Sequence, residues 1–172
     1  MRSRYGFAFG VAAVVLVLDQ ATKWYIRQTV KLNESIAVID SLFNITHVSN
    51  KGAAFSLFAD SGAALRLPFF LSVSIVAIIV LILIVRRVEA RQYWLLFGLG
   101  SILGGALGNF VDRVRVGEVT DYLDVHWHGY HWPAFNVADS FISIGMVILV
   151  LYSLLSRPVP HQAGNRQRVS PP

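Results

Sequence analysis

The chain has 172 residues, of which 55% are hydrophobic and 15% are charged, and it contains no cysteine. Soluble domains average about 45–50% apolar and ~25% charged residues, so this composition predicts a single integral membrane protein. The lack of cysteine excludes disulfides, thiolate nucleophiles and cysteine-based metal sites. The net charge of +5 comes from basic residues between apolar segments, which argues against a nucleic-acid-binding stripe.

Four apolar segments approach the ~20 residues that a helix needs to cross the hydrocarbon core of a bilayer. We predict spans over about 5–26, 67–85, 94–111 and 137–155, which gives an all-α membrane protein with four transmembrane helices. A removable signal peptide is the competing interpretation of the first segment, but no clean small-x-small cleavage site follows it. Residues 1–156 are then one membrane domain, and 157–172 are predicted to be a disordered cytoplasmic tail.

The distribution of charge predicts the orientation of these spans. Four spans place both termini and the loop between spans two and three on one side, which carries eight arginines and one glutamate. The rest of the chain has seven basic and nine acidic residues, so the positive-inside rule places both termini in the cytoplasm. Asp19, Asp112 and Asp139 then lie near the outer ends of three different spans.

The outer loops contain patterns typical of strands. Phe43 and Ile45 alternate with Asn44 and Thr46, and the tripeptide NKG at 50–52 is a turn signal. We therefore predict a small β-sheet on the outer membrane surface.

The segment EVTDYLDV at 118–125 is expected to be extended, or a short amphipathic stretch that returns to the membrane surface. A solvated loop position is the competing interpretation of Asp121, and Asp124 is expected at the protein surface.

Span three carries Gly100, Gly104 and Gly108 four residues apart, on one face of a helix. Small residues at this spacing let a second helix approach closely in lipid. A functional extension of this interpretation is that the same face leaves room for a substrate helix.

Charged residues at the outer ends of the spans are the candidate site. Asp19 and Lys23 have the spacing and order of a helical ion pair, with a direct part in chemistry as the alternative. Asn109, Asp112 and Arg113 fall within about one helical turn. Asp112 is either catalytic or neutralised by Arg113 and nearby backbone amides, because ionisable groups within membranes are candidates for function but not necessarily the reacting groups.

Asp139 follows Asn136 by three residues at the start of span four. The helix dipole is one sufficient reason for a carboxylate there. A second reason is a catalytic role together with another acid on the outer side. The residues alone do not decide which acid this is; the candidates are Asp19, Asp112, Asp121 and Asp124.

Metal and serine chemistry have weaker support. The loop before span four contains three histidines, His126, His128 and His131. They lack helical spacing and an obvious carboxylate partner, so an interfacial surface is the preferred interpretation and no metal is predicted. A serine–lysine dyad from Ser49 and Lys51, or from Ser140, lacks the G-x-S-x-G context.

Five motifs occur in order along the chain: DQATK at 19–23, NKGAAFS at 50–56, GGALGNFVDR at 104–113, EVTDYLDV at 118–125 and FNVAD at 135–139. Together they resemble the lipoprotein signal peptidase (signal peptidase II) family, which are aspartic proteases of the bacterial inner membrane. The GxGD motif of other intramembrane aspartic proteases is absent.

The resemblance implies an endopeptidase that removes the signal peptide from diacylglyceryl-modified prolipoproteins, cleaving just before the lipid-bearing cysteine. It implies that Asp121 and Asp139 are the catalytic pair, with the active site near the periplasmic face. The supporting positions that it implies are Asp19, Lys23, Asn50, Gly104, Gly108, Asn109, Asp112, Arg113 and Asn136. Thr120 departs from the family pattern, which usually has valine there.

The expected partners are the prolipoprotein substrate and membrane lipid, with no nucleic acid and no cofactor, and the protein is expected to be a monomer. A small channel or proton-coupled transporter is the alternative function, since acids inside membranes also mark ion pathways. A transport pathway predicts acidic residues at several depths in the membrane, whereas the predicted topology of this chain places them in one outer layer. A non-catalytic lipid-binding scaffold is a third hypothesis.

Overall fold

Each of the four apolar segments forms a helix in the computed structural model, which describes residues 4–52 and 63–155. The helices are α1 (Arg4–Thr29), α2 (Ala63–Arg87), α3 (Tyr93–Val116) and α4 (Val137–Leu155). All four are long and apolar enough to cross a membrane, which confirms the predicted spans. The tail predicted at 157–172 lies outside the described residues.

Helix α3 is the centre of the bundle. Its most apolar stretch is 56% buried, compared with 22% for α1 and 11% for both α2 and α4. Glycines make this possible, because a Cβ on Gly104 would lie 2.6 Å from the carbonyl oxygen of Ala12 in α1. On the α4 side, a Cβ on Gly145 would lie 2.5 Å from the carbonyl oxygen of Gly98. The glycine face predicted for helix packing therefore packs directly against α1.

The segments predicted to form a sheet make one antiparallel sheet with its strands in chain order. The strands are β1 (Ser35–Ile39), β2 (Phe43–Asn50), β3 (Val119–Trp127) and β4 (Tyr130–His131). This confirms the predicted sheet, and it shows that 119–127 is extended. Strand β2 has one extra residue between Ile45 and Val48, a β-bulge beside the position where Val48 pairs with Asp121.

A tight reversal connects α3 to this sheet. Gly117 adopts a left-handed conformation with φ of 83°, and its N–H donates to the carbonyl of Arg113 at 3.1 Å. Glycine adopts this conformation without the steric cost that a Cβ brings. Because β3 begins at Val119, the last turn of α3 and the first residues of β3 lie at the same end of the bundle.

Candidate active site

Asp139 lies in the first turn of α4 as half of a reciprocal cap. The side-chain oxygen of Asn136 accepts a hydrogen bond from the backbone N–H of Asp139 at 3.0 Å. A carboxylate oxygen of Asp139 accepts a bond from the backbone N–H of Asn136 at 3.2 Å. This is a capping box with Asn and Asp in place of the usual Ser or Thr and Glu. Helix capping therefore fixes the position of the Asp139 carboxylate.

The amide group of Asn136 connects Asp139 to Asp121. Its Nδ2 donates to the carboxylate of Asp121 at 2.6 Å, while its oxygen is occupied by the N–H of Asp139. These two contacts determine which way the amide points, because only one assignment satisfies both. Asn136 is fully buried, so it holds the two carboxylates in a fixed relation.

Asp121 is 2% exposed and receives a second amide across the sheet, from Asn50 Nδ2 at 2.8 Å. Burial raises the pKa of Asp121 to about 6, against the opposing effect of the hydrogen bond from Asn50. The negative charge of Asp139 is one of the causes of this rise. Asp121 therefore keeps its proton to a higher pH than an ordinary aspartate, as carboxyl groups at functional sites often do.

Asn109 supports the other carboxylate. Its Nδ2 donates to Asp139 at 2.8 Å, and its oxygen accepts a hydrogen bond from the ammonium group of Lys23 at 2.8 Å. The ammonium thus fixes the orientation of the Asn109 amide, and the amide in turn orients Asp139. Lys23 is fully buried and touches neither Asp121 nor Asp139 by a hydrogen bond among the described residues.

A charge cluster surrounds Lys23. Its ammonium lies 2.9 Å from Asp19 and 3.1 Å from Asp112, and the guanidinium of Arg27 lies 3.0 Å from Asp112. These are two acids and two bases, so the buried cluster is electrically neutral, as groups removed from water require. The predicted ion pair of Asp19 and Lys23 is confirmed.

Asp19 also holds the start of α4, because its carboxylate accepts the backbone N–H of Ala138 at 2.9 Å. It is fully buried, and a Cβ on Gly108 of α3 would collide with it. Gly108 therefore makes space for Asp19, and Gly104 makes space for the backbone of α1, so this part of the glycine face is occupied by α1.

The expectation that Arg113 and nearby backbone amides neutralise Asp112 is wrong in part, because a backbone amide does bind Asp112 but Arg113 forms no ion pair with it and interacts with it only at longer range. Asp112 pairs with Lys23 and Arg27 and accepts the backbone N–H of Thr120 at 3.3 Å. The guanidinium of Arg113 donates to the carbonyl of Asn109 at 3.3 Å and lies 5.2 Å from the centre of the Phe70 ring. Successive residues of a helix point in directions about 100° apart, so Asp112 and Arg113 face different neighbours.

The expectation that Asp124 lies at the surface is also wrong. Asp124 is 8% exposed, and its carboxylate accepts hydrogen bonds from Asn44 at 3.0 Å and contacts His131 Nδ1 at 2.8 Å. Asp124 lies on β3, facing partners on β2 and β4, and is separate from the network around Asp139. Among the described residues, no group of three His, Cys, Asp or Glu side chains has the geometry to hold a metal ion.

The structure brings most of the predicted polar site residues into one hydrogen-bonded network. Its members are Asn50, Asp121, Asn136, Asp139, Asn109, Lys23, Asp19 and Asp112. Arg113 lies beside the network, close enough to interact electrostatically with Asp121 and Asp139.

Sequence reasoning missed Arg27 and Gln20. Gln20 Nε2 contacts Asp19 at 3.1 Å and Asp112 at 3.3 Å. Helical spacing could have suggested Arg27, because Asp19, Lys23 and Arg27 follow one another at intervals of four residues on one face of α1.

The fold and the site together define a class of protein: a four-span membrane protein whose buried polar side chains surround two carboxylates at one end of the bundle. The family model described as "Signal peptidase (SPase) II" matches residues 11–155. The chain belongs to the signal peptidase II family, as its five motifs predicted.

Similar proteins agree over nearly the whole chain. The lipoprotein signal peptidase of Geobacter sulfurreducens is 50% identical over 151 residues, which cover 88% of this chain and 93% of that protein. The lipoprotein signal peptidase of Desulforapulum autotrophicum is 46% identical over 150 residues, covering 87% and 92%. A solved structure described as "Bacterial membrane enzyme structure by the in meso method at 1.9 A resolution" matches with a TM-score of 0.78 and 35% identity, covering 89% of this chain and 95% of that one.

Proposed function

We propose that this protein is a membrane-embedded aspartic endopeptidase that removes the signal peptide from diacylglyceryl-modified prolipoproteins, just before the lipid-bearing cysteine. Membership of the family and the names of its close relatives support the peptidase activity and the substrate. The observation that supports the aspartic mechanism is Asn136, which is hydrogen-bonded to both Asp121 and Asp139.

Two adjacent carboxylates cannot both ionise cheaply, so the pair shares one proton. The pKa of Asp121, raised to about 6, fits such sharing. The proton belongs to the pair, and neither aspartate has a fixed role as acid or base.

The pair supplies both functions that hydrolysis of a peptide bond requires. The ionised carboxylate takes a proton from water as its oxygen attacks the scissile carbonyl, and the protonated carboxyl donates to the carbonyl oxygen. When the C–N bond breaks, the leaving nitrogen takes the proton of the pair, and a hydroxyl of the tetrahedral intermediate returns one proton to the pair. The products are a carboxylic acid on the signal peptide, which then ionises by losing its proton to water, and an amine on the lipid-bearing cysteine, and the pair is again singly protonated.

The remaining network keeps this pair in position. The amides of Asn50, Asn109 and Asn136 donate to the two carboxylates, and these neutral donors orient them without adding charge. Lys23 acts through Asn109 as a positioning residue. Preorganised donors in a site of low dielectric constant contribute more to catalysis than the same groups in water.

The location follows from charge and topology. We propose that the enzyme lies in the bacterial inner membrane as a monomer with both termini in the cytoplasm, and that the carboxylates lie near the periplasmic face. The eight arginines of the opposite side support this orientation. The transporter alternative has no support, because the network of acids occupies one end of the bundle and the relatives are peptidases.

The test is cleavage of a lipid-modified prolipoprotein by purified protein in detergent. Asp121→Asn and Asp139→Asn are each expected to lose at least ~10³-fold in kcat, because an amide cannot exchange the proton. Asp112→Asn is expected to retain measurable turnover while lowering stability. Near-wild-type turnover by either of the first two variants would refute the assignment, and full activity in EDTA is expected.

A further inference from the structure

A small basic pocket adjoins the carboxylate pair. It is a narrow cleft of about 10 Å³, lined by Asn50, Lys51, Arg66, Leu67, Phe70, Arg113 and Gly117. Three of these side chains are cations, from the end of β2, the start of α2 and the end of α3. None of the lining residues that the structure describes is acidic. Its composition is that of a site for an anion.

In the described part of the chain, the cations of the pocket form no ion pair with an acid. Within 4–52 and 63–155, neither Lys51 nor Arg66 forms an ion pair with a carboxylate, whereas Lys23 and Arg27 do. Arg113 donates only to a backbone carbonyl and stacks on Phe70, which leaves the rest of its guanidinium unpaired in that part of the chain. Guanidinium and ammonium groups are the donors that proteins use for carboxylates and phosphates.

Two shared residues connect the pocket to the proposed catalytic pair. Asn50 lines the pocket and donates to Asp121 at 2.8 Å. Arg113 lines the pocket and lies within electrostatic range of both Asp121 and Asp139. Gly52 follows the pocket residue Lys51; it has a φ of 86° and lies so close to Phe70 that a Cβ would overlap the ring. An anionic group at the carboxylate pair could therefore enter the pocket without crossing the bundle.

We propose that the basic pocket binds the new C-terminal carboxylate of the cleaved signal peptide. This inference rests on the proposed function, because only hydrolysis produces that group. The carboxylate forms beside a pair that is itself negatively charged, so repulsion drives it away from the pair. Arg113 of the basic pocket lies within electrostatic range of both carboxylates, and binding in the pocket separates the product from the amine and keeps the peptide bond from reforming.

Binding of two synthetic signal peptides to the full-length protein in zwitterionic nanodiscs tests this proposal. The peptides end at the cleavage position and are identical except that one has a free carboxylate and the other an amide. The free acid is expected to bind roughly fivefold to tenfold more tightly at low salt, which corresponds to one or two partly exposed ion pairs. High salt is expected to reduce this ratio.

The variant Lys51→Gln/Arg66→Gln is expected to bring the ratio of acid to amide affinity close to one. Arg115→Gln is the matched control, since Arg115 is an exposed cation in the last turn of α3 that does not line the pocket. It is expected to keep the wild-type ratio. Circular dichroism and thermal unfolding establish that each variant is folded.

Three results would overturn the proposal. One is equal affinity of the wild-type protein for acid and amide peptides. Another is an unchanged ratio in the double variant. The third is loss of the wild-type preference for the acid peptide when phosphatidylglycerol is added to the nanodiscs. That result would indicate that the pocket recognises lipid instead. Binding of product does not require turnover, so these results are distinguishable from a failure of the prolipoprotein cleavage assay.

Discussion

Asn136 has two separable roles, because its oxygen caps α4 and its nitrogen donates to Asp121. Both atoms are buried because the whole residue is buried, so neither can replace its hydrogen-bond partner with water unless the site opens. A single amide therefore couples the stability of a transmembrane helix to the geometry of the proposed catalytic pair.

Substitution of Asn136 can separate these roles. Asn136→Ser retains a capping oxygen but has no amide to donate to Asp121, whereas Asn136→Ala loses both. Both variants are expected to have strongly reduced kcat, while only the alanine variant is expected to lose the ~1 kcal/mol that a helix cap contributes. Cleavage kinetics and thermal unfolding in detergent measure the two effects. Wild-type kcat in the serine variant would contradict the role of the amide.

Asn50 contributes to the pKa of Asp121. Its hydrogen bond stabilises the ionised carboxylate and so lowers the pKa, which burial and the charge of Asp139 raise to about 6. If activity requires one shared proton, kcat/KM falls as pH rises through this pKa. Asn50→Ala removes the lowering effect, so the alkaline limb of the pH profile is expected to move to higher pH.

The matched control for this experiment is Asn44→Ala. Asn44 donates to Asp124 in the same way and on the same strand, but Asp124 is outside the catalytic network. Its pH profile is expected to match that of the wild type. A shift to lower pH in the Asn50 variant would contradict the assigned sign.

At the level of elements, α3 organises the molecule because glycines on its faces accept α1 and α4. Gly104 faces the backbone of α1 and Gly105 faces the carbonyl of Ala138 in α4. These contacts hold α3, which carries Asp112, close to α1, which carries Asp19, and to α4, which carries Asp139. Close packing of α3 is thus a condition for assembling the site.

Gly104→Ala is expected to destabilise the protein by about 1–3 kcal/mol, because the new Cβ would lie 2.6 Å from a backbone oxygen that cannot move aside easily. Gly10→Ala is the control, since a Cβ at Gly10 of α1 meets nothing within 4 Å. The control is expected to be neutral or slightly stabilising, because alanine is the better helix former. Thermal unfolding in detergent compares the two; equal stability would show that α1 can move away.

At the level of the whole molecule, the charge cluster connects α1 to α3 and, through Asp19, to the start of α4. It contains two acids and two bases, so their charges cancel, and its side chains differ in solvent exposure. Lys23 is fully buried, whereas the side chain of Arg27 is 24% exposed. The cost of losing each base should therefore differ.

Lys23→Met is expected to cost about 3–5 kcal/mol of stability, because it leaves two buried carboxylates with one cation. Arg27→Gln is expected to cost only ~1 kcal/mol, because water reaches the guanidinium and screens its charge. Arg27→Lys, which keeps the charge, is expected to recover much of that loss. Thermal unfolding of the three variants measures the order, and a larger loss for Arg27→Gln than for Lys23→Met would contradict it.

The sequence alone determined the four apolar helices, the small sheet and the placement of Asp19, Asp112 and Asp139 at one end of the bundle, since these depend on apolar length, alternation and the order of charges along the chain. Family motifs chose Asp121 as the partner of Asp139. Only the tertiary structure distinguished Asp112, which pairs with Lys23 and Arg27, from Asp121, which is hydrogen-bonded by the neutral amides of Asn50 and Asn136. Such partners come from segments that are distant in the chain, for example Arg27 and Asp112, which are 85 residues apart, and a local sequence pattern does not reveal them. For the same reason, the sequence predicts that Asp124 is exposed to solvent, whereas strand pairing buries it against Asn44 and His131.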